Sequence, residues 1–526
     1  MRSIELHWLA GTRLLVAALL AMTPLLGALA ARRPRYGGTL RIELRAGKIS
    51  LDPREWKVGT AEFSANEKLG ALVFDRLVAL DNYGRFQSQL AKEWSHDAGF
   101  KRWQFSVRAG AKFSDGSPLS AADIVTALQP LLPKGQQINA SASGVVIQSA
   151  AATPDLLEEL ASGRYLIYRV QPDGTLMGTG PFFVVAAPPA ANDRGGKLPA
   201  HSMSDPTHLH FRANEETWSG RPFLDAIDVM LGVPPLRQLF DLQLGKADLV
   251  EISPELVRRA TQQNLRVWSS APVTLYGLRF DETRASRTDA SLREAVALSL
   301  DRRTMANVLL QKQAEPASSL LPQWLSGYAF LFNMEPNLQR AREIRTALPA
   351  KVAAEPLRLR VDAPGELASL LGERVAVNAR QAAILVQVVN RAPPRDAGGT
   401  TTTSSDPGAG LHLFVWHYSA LAPRVEMESL VSALNLGGSS ETAISTADPE
   451  QLYSREQELL EEHGVLPLVA LPDSVGLGPN VRDWMPARWG EWRLADVWLD
   501  LPEPALASTE SVRTTQPPAA SSGAKP

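Results

Sequence analysis

The chain has 526 residues, too many for one ordinary core and enough for two or three domains. Its 54 Lys and Arg nearly balance its 56 Asp and Glu, a formal net charge of −2, so no global field draws in nucleic acid or an anionic membrane. It contains 0 cysteines, which excludes disulfides, thiolate metal sites, a cysteine nucleophile and a lipid-modified cysteine anchor.

The amino terminus reads as an export signal. Arg2 and Arg13 accompany an apolar run over residues 14–29, and Ala28-Leu29-Ala30 fits a small-x-small cleavage site. The run is short for a membrane span. The expected product is a cleaved protein, exported and free in a bacterial periplasm.

Leu40, Ile42 and Leu44 alternate with Thr39, Arg41 and Glu43, which predicts a strand. Thr60 is placed to cap a helix carrying Phe63, Leu69, Leu72 and Val73. Trp103, Phe105 and Val107 alternate with Gln104 and Ser106, the pattern of a half-buried strand. Asp115-Gly116-Ser117-Pro118 then turns the chain. Ser120, three residues before Asp123, forms a capping box for a helix that buries Ile124, Val125 and Leu128.

Residues 154–160 predict a short helix. Gly178-Thr179-Gly180-Pro181 reads as a tight turn into a strand over 182–185, not as a phosphate loop: a third glycine is missing and Pro181 has no N–H to offer. Residues 188–206 read as a surface loop and 276–281 as a strand. Asp289 or Ser291 caps a helix with Leu292, Ala295, Val296 and Leu300 on one face, continued by Met305, Val308 and Leu309. A strand is expected over 357–361, a helix running into a strand over 374–389, and a low-complexity segment over 391–410. An apolar strand over 411–416 and a helix over 453–462, with Leu459 and Leu460 inward, complete the pattern. Residues 502–526, rich in Pro, Ser, Thr and Ala, are expected to lack fixed structure.

Several of these stretches, in this order, resemble the bacterial extracellular solute-binding proteins of family 5, the peptide- and nickel-binding receptors of ABC importers. The resemblance is carried by Gly37-Gly38-Thr39-Leu40, Leu51-Asp52-Pro53, Leu90-Ala91-Lys92-Glu93-Trp94, the block over residues 103–128, Gly178-Thr179-Gly180-Pro181-Phe182, Trp218-Ser219-Gly220-Arg221-Pro222 and residues 292–302. It is strong to about Pro322 and faint between Arg340 and Tyr453. It implies an α/β, two-lobed periplasmic-binding-protein fold with a hinge and an extra domain in the first lobe. The implied boundaries are a signal peptide over 1–30, a discontinuous first lobe over 31–50, 178–280 and 473–500, an inserted domain over 51–177, a second lobe over 281–472 and a disordered tail over 501–526.

No catalytic motif is present: there is no Gly-x-Ser-x-Gly elbow, no His-Glu-x-x-His and no P-loop. The chain is therefore expected not to be an enzyme, and an exported hydrolase is disfavoured. His208 and His210 are spaced to share one side of a strand and read as strand-surface residues rather than metal ligands. No cofactor and no resident metal are expected.

Trp416-His417-Tyr418-Ser419 is the candidate site. An apolar strand delivers two aromatic rings and an imidazole to its C-terminal end, where clefts open in α/β lobes. In peptide-binding members of the family the matching stretch carries an Asp that pairs with the ligand's ammonium. Residues 416–423 here hold no carboxylate, which removes a charge-assisted hydrogen bond of roughly 1.5–3 kcal/mol unless Asp281 or another acid supplies it. A peptide with a free N-terminus is accordingly expected to bind more weakly than its N-blocked analogue. Tyr276, Asp281 and Trp324 complete the candidate ligand-binding set with Trp416, His417 and Tyr418. The expected partners are a small-molecule or peptide ligand and an inner-membrane ABC permease, with no nucleic acid, and the expected state is a monomer. The alternatives are a nickel-chelate binder using His417 and a divergent receptor or scaffold without transport.

Overall fold

The computed structural model describes residues 33–57, 59–185, 207–281, 290–363, 365–390, 409–419, 421–436 and 448–501. The export signal and the Pro-, Ser- and Thr-rich tail lie outside the described residues, as do the loop over 188–206 and most of the low-complexity segment.

Two long strands, Arg266–Phe280 and Val465–Leu477, organise the molecule. They pair antiparallel along most of their length and belong to two groups of strands at once. At one end, Val465–Leu477 pairs with Leu249–Glu251, followed by Thr39–Glu43, Ala226–Met230, His208–Ala213 and Phe182–Val185. At the other end, Arg266–Phe280 pairs with Leu411–His417, followed by Leu357–Val361 and Val386–Asn390. Each group has its own apolar core. Leu40, Ile42, Phe182, Phe211 and Ile227 fill the first, and Leu278, Phe280, Val296, Leu359, Leu371 and Leu413 the second.

The crossing between the two groups is the weak point of the ladder. Pro272 stands opposite Pro472, and the register slips on either side of that pair. Neither proline carries an N–H, so the ladder loses donors from both strands at one place. Backbone rotation is cheapest there, and the crossing has the character of a hinge.

A separate antiparallel sheet orders Ala91–His96, Arg102–Val107, Gly144–Ser149 and Gln136–Ser141. It closes over a third core containing Trp103, Phe105, Ile124, Leu128 and Ile147. The helix Ala121–Leu128 is capped as its sequence predicts. Ser120 Oγ accepts from the Asp123 N–H, and Asp123 reaches back to the Ser120 N–H at 2.9 Å. Arg169 adds two bonds to the same carboxylate, at 2.8 and 2.7 Å, so the shorter Asp does what a Glu usually does and also anchors a distant strand.

Gly178-Thr179-Gly180 is a joint of close approach. A Cβ on Gly178 would lie 1.8 Å from the Val73 carbonyl oxygen, and the Gly180 N–H donates to that oxygen at 2.9 Å. Thr179 Oγ1 and Trp218 Nε1 both donate to Asp75, at 2.8 and 2.7 Å. The glycines serve backbone packing against the end of the helix Ala61–Val73.

One predicted element divides. The helix Ala290–Ser299 stops, and Asp301 caps a new short helix by accepting from the Thr304 N–H at 2.9 Å. A π-helical stretch, Met305–Leu309, follows. The apolar face therefore does not continue unbroken: Met305 is buried, whereas Val308 is 70% exposed.

Candidate functional site

The hinge brings the helix Ala61–Val73, the loop after Leu156–Ala161 and the loop over 489–491 to face the C-terminal end of the strand Leu411–His417. Between them lies a void of about 460 Å³ measured out to its mouth. Ser64, Glu67, Lys68, Arg76, Ser162, Gly163, Trp489, Gly490 and Glu491 line it from one side, and Trp324, His417, Tyr418, Ser419 and Leu421 from the other.

The strand Leu411–His417 is held here by hydrogen bonds to the residue 59 backbone and to its neighbouring strand. The His417 N–H donates to the Gly59 carbonyl at 3.0 Å, and the Tyr418 N–H donates to Val273 at 3.0 Å. His417 Nδ1 meets Thr274 Oγ1 at 3.1 Å. Burial lowers the imidazole pKa to about 4 despite the nearby Asp473, so the ring is neutral at physiological pH. Tyr418 donates its hydroxyl to the Leu320 carbonyl at 2.6 Å, and Trp324 Nε1 donates to Pro272 at 2.7 Å.

Two buried ion pairs furnish the site. Lys68 Nζ lies 2.6 Å from Asp473 Oδ2, and Arg76 pairs with Glu491. Burial alone would raise the Asp473 pKa, but Lys68, His417 and Arg45 outweigh it and hold the carboxyl below its usual range. Glu67 is the odd acid. Burial, with Glu491 adding to it, raises its pKa to about 8 against the opposing pull of Arg76 and Lys68, so it carries a proton at neutral pH. Its carboxyl fits because residue 163 is glycine: a Cβ there would lie 1.9 Å from Glu67 Oε1.

Of the six residues singled out from sequence, Trp324, His417 and Tyr418 border this void. Trp416 does not: it is 3% exposed, its Nε1 donates to Glu426, and its ring packs on Gly59. Tyr276 packs against the second-lobe core. Asp281 lies beyond the far end of its strand, 3.9 Å from His412 Nε2, and brings no charge to the void. The acids that line the void are instead Glu67 and Glu491, with Asp473 paired to Lys68. Among the described residues no three His, Cys, Asp or Glu converge to hold a metal ion, and no helix is long and apolar enough to cross a membrane.

The profile of the bacterial extracellular solute-binding proteins, family 5 Middle, matches residues 85–389, more than half of the chain. The chain belongs to family 5. Among curated family 5 relatives, the nickel-binding protein NikA of Staphylococcus aureus is 24% identical over 286 residues, 52% of this chain and 54% of that protein. The chain thus spans about half the length of this relative in the match. The periplasmic oligopeptide-binding protein OppA of Haemophilus influenzae is 30% identical over 81 residues, 15% of each chain. Solved structures extend the likeness of fold. NikA of Staphylococcus aureus in complex with Ni(L-His)2 superposes with a TM-score of 0.68 at 17% identity, over 88% of this chain and 100% of that one. DppA of Helicobacter pylori in complex with the peptide STSA gives 0.69 at 15% identity, over 89% and 99%. The fold is the two-lobed one of these binding proteins.

Sequence reading missed Ser64, Glu67, Lys68, Arg76 and Glu491. A signal existed for Lys68: it sits in a helix whose neighbouring positions Phe63, Ala65, Leu69 and Leu72 are all buried, and a cation in such a helix needs a buried partner. Glu491 gave none, because its partner lies 415 residues away.

Proposed function

We propose that this protein is the exported receptor of an ABC importer, which captures a peptide or peptide-like solute by closing two lobes and presents it to an inner-membrane permease. The observation that carries the reading is the cavity lined from both lobes beside the proline-paired crossing of the two long strands. A ligand contacting both walls is bound fully only in the closed state, so binding selects closure. The amino-terminal pattern supports a periplasmic location after signal cleavage. The domain boundaries expected from the resemblance suit this reading: an inserted domain over 51–177 would contain the separate four-stranded sheet.

A nickel chelate is the second reading. It rests on His417, whose burial keeps the imidazole in the neutral form a metal requires.

The test is thermal unfolding of the ligand-stripped protein against peptides of two to five residues, nickel with histidine, and oligosaccharides. A true ligand at a hundredfold its Kd stabilises by about 2.7 kcal/mol. A shift with one class, accompanied by a smaller radius of gyration in solution scattering, supports a receptor for that class. A folded protein silent to every class would sink the receptor reading in favour of a scaffold.

A further inference from the structure

The helix Pro235–Gln243 closes a small core with the helix Pro254–Gln262, and Leu239 and Leu242 are its buried apolar side. Leu236 and Phe240 stand one turn apart on the opposite side, and Leu244 continues the row at the C-cap. With about 100° between successive residues, the three fall within about 80° of the helix circumference, directly away from the core. They are 51%, 45% and 67% exposed. A single exposed Leu is ordinary, but three large apolar side chains in one solvent-facing row mark a contact surface.

An independent feature is the charge beside this row. Arg259, on the neighbouring helix, sets its guanidinium 5.5 Å from the Phe240 ring centroid. Lys246 follows the row by two residues, Arg258 adjoins Arg259, and all three cations are exposed. None of the three has an acid within ion-pair reach among the described residues. Glu255, exposed one turn before Arg259 and bonded to the Ser253 hydroxyl, offsets only part of this charge. The polar side chains on either side of the row are spent on one another: Arg237 pairs with Asp241, and Gln243 donates to Gln263.

The combination narrows the partner. A second copy of this face would set like cations against one another. A folded partner protein is held in register by directed hydrogen bonds, and the side chains that could direct them are already paired. An apolar row with unpaired cations beside it matches a layer that is anionic at its surface and apolar beneath. The net charge of the whole chain is only −2, so the attraction belongs to this face and not to the molecule at large. We propose that the helix Pro235–Gln243 is a peripheral contact with a lipid bilayer containing anionic lipid. Leu236, Phe240 and Leu244 enter the boundary between headgroups and acyl chains, and Lys246, Arg258 and Arg259 rest among the phosphates. Three side chains and three cations make a reversible contact, far weaker than a spanning helix. The inference does not depend on which solute the cleft takes.

The test is flotation of the purified full chain with two kinds of vesicle, pure phosphatidylcholine and phosphatidylcholine with an equal part of phosphatidylglycerol. The expected result is a partition coefficient at least tenfold higher on the anionic vesicles at about 50 mM salt, falling at about 500 mM. The combined variant Leu236→Ser, Phe240→Ser and Leu244→Ser should lose at least tenfold on the anionic vesicles, with its melting temperature unchanged because the replaced side chains are exposed. The combined variant Lys246→Gln, Arg258→Gln and Arg259→Gln should bind both kinds of vesicle alike. Should the serine variant fail to fold, the glutamine variant and Leu244→Ser alone, with a loss of about threefold, decide. Equal partitioning of the unaltered chain onto both vesicles, or onto neither, overturns the proposal, as does a folded serine variant that floats as its parent does. A parent that sediments as a dimer, beside a serine variant that sediments as a monomer, assigns the row to a second copy and overturns it too.

Discussion

Arg424 Nε stands 2.7 Å from Asp155 Oδ2, and its Nη2 stands 2.9 Å from Glu159, so one guanidinium ties the helix Pro423–Leu434 to the segment around Leu156–Ala161 across the cleft. The three side chains are 17%, 8% and 0% exposed, and Glu428 adds a third carboxylate at 3.1 Å. Arg164 reaches Ser429 at 3.3 Å alongside. This latch holds the two walls of the cleft together. Replacing Arg424 by Gln leaves Asp155 and Glu159 facing each other in a buried site, at a cost of about 3–5 kcal/mol. The expected outcome is relief by opening: a larger radius of gyration in solution scattering and weaker apparent affinity for whatever the cleft binds. An unchanged scattering curve together with an unchanged melting temperature would show that the latch contributes nothing to closure.

His417 makes stability depend on pH in a known direction. Burial holds its pKa at about 4 in the folded chain, against the ordinary 6.5 of an imidazole, so the unfolded chain binds the proton more tightly. Its contribution is therefore fully present above pH 6.5 and is lost as pH falls toward 4. The span corresponds to about 3 kcal/mol. Denaturant unfolding at half-unit pH steps should show the unaltered protein losing stability relative to His417→Asn across that window. Parallel curves for the two proteins would mean the imidazole is not held neutral by burial.

Gly59 is the backbone point on which Trp416 rests. Its φ is +81°, and a Cβ there would lie 2.2 Å from the indole ring, which cannot retreat because it is buried and tied to Glu426. Gly59→Ala combines left-handed strain with overpacking, about 2–4 kcal/mol in all. Since the Gly59 carbonyl also accepts the His417 N–H, the damage falls on the contact between the lobes. Urea unfolding followed by tryptophan fluorescence should report a lower midpoint. A midpoint within error of the parent would require Trp416 to sit elsewhere in solution.

The sequence made the scaffold legible where the pattern is local. The capping box at Ser120 and Asp123, the alternation of Trp103 and Phe105 and the glycine joint at 178–180 all depend on residues close in the chain. The site was legible only in part. His417 and Tyr418 were found because an apolar strand delivers them to a cleft, and Trp324 stood beside them in the candidate set. Arg76 and Glu491 were not, since ion pairing between residues 415 apart leaves no trace in periodicity. Asp281 misled for a related reason: its place in sequence beside a cleft-forming strand did not reveal that the strand's other end meets the hinge.

Glu456 offers a test that runs opposite to His417. It is 0% exposed in the helix Pro449–Glu461, and its Oε1 accepts from the Leu320 N–H and from the Leu321 N–H at 3.4 Å. Burial raises its pKa from 4.5 to about 7, with those donors pulling the other way. Folding thus favours the protonated form. The contribution to stability is fully present below pH 4.5 and is lost as pH rises through 7. Glu456→Gln keeps an oxygen for the two N–H groups and abolishes the charge. It should match the parent at pH 5 and exceed it by about 1–3 kcal/mol at pH 8 in chemical unfolding. A Gln variant less stable than the parent at pH 8 would mean that the ionised carboxylate is welcome there, and that the donors from the 320–321 backbone outweigh the loss of water.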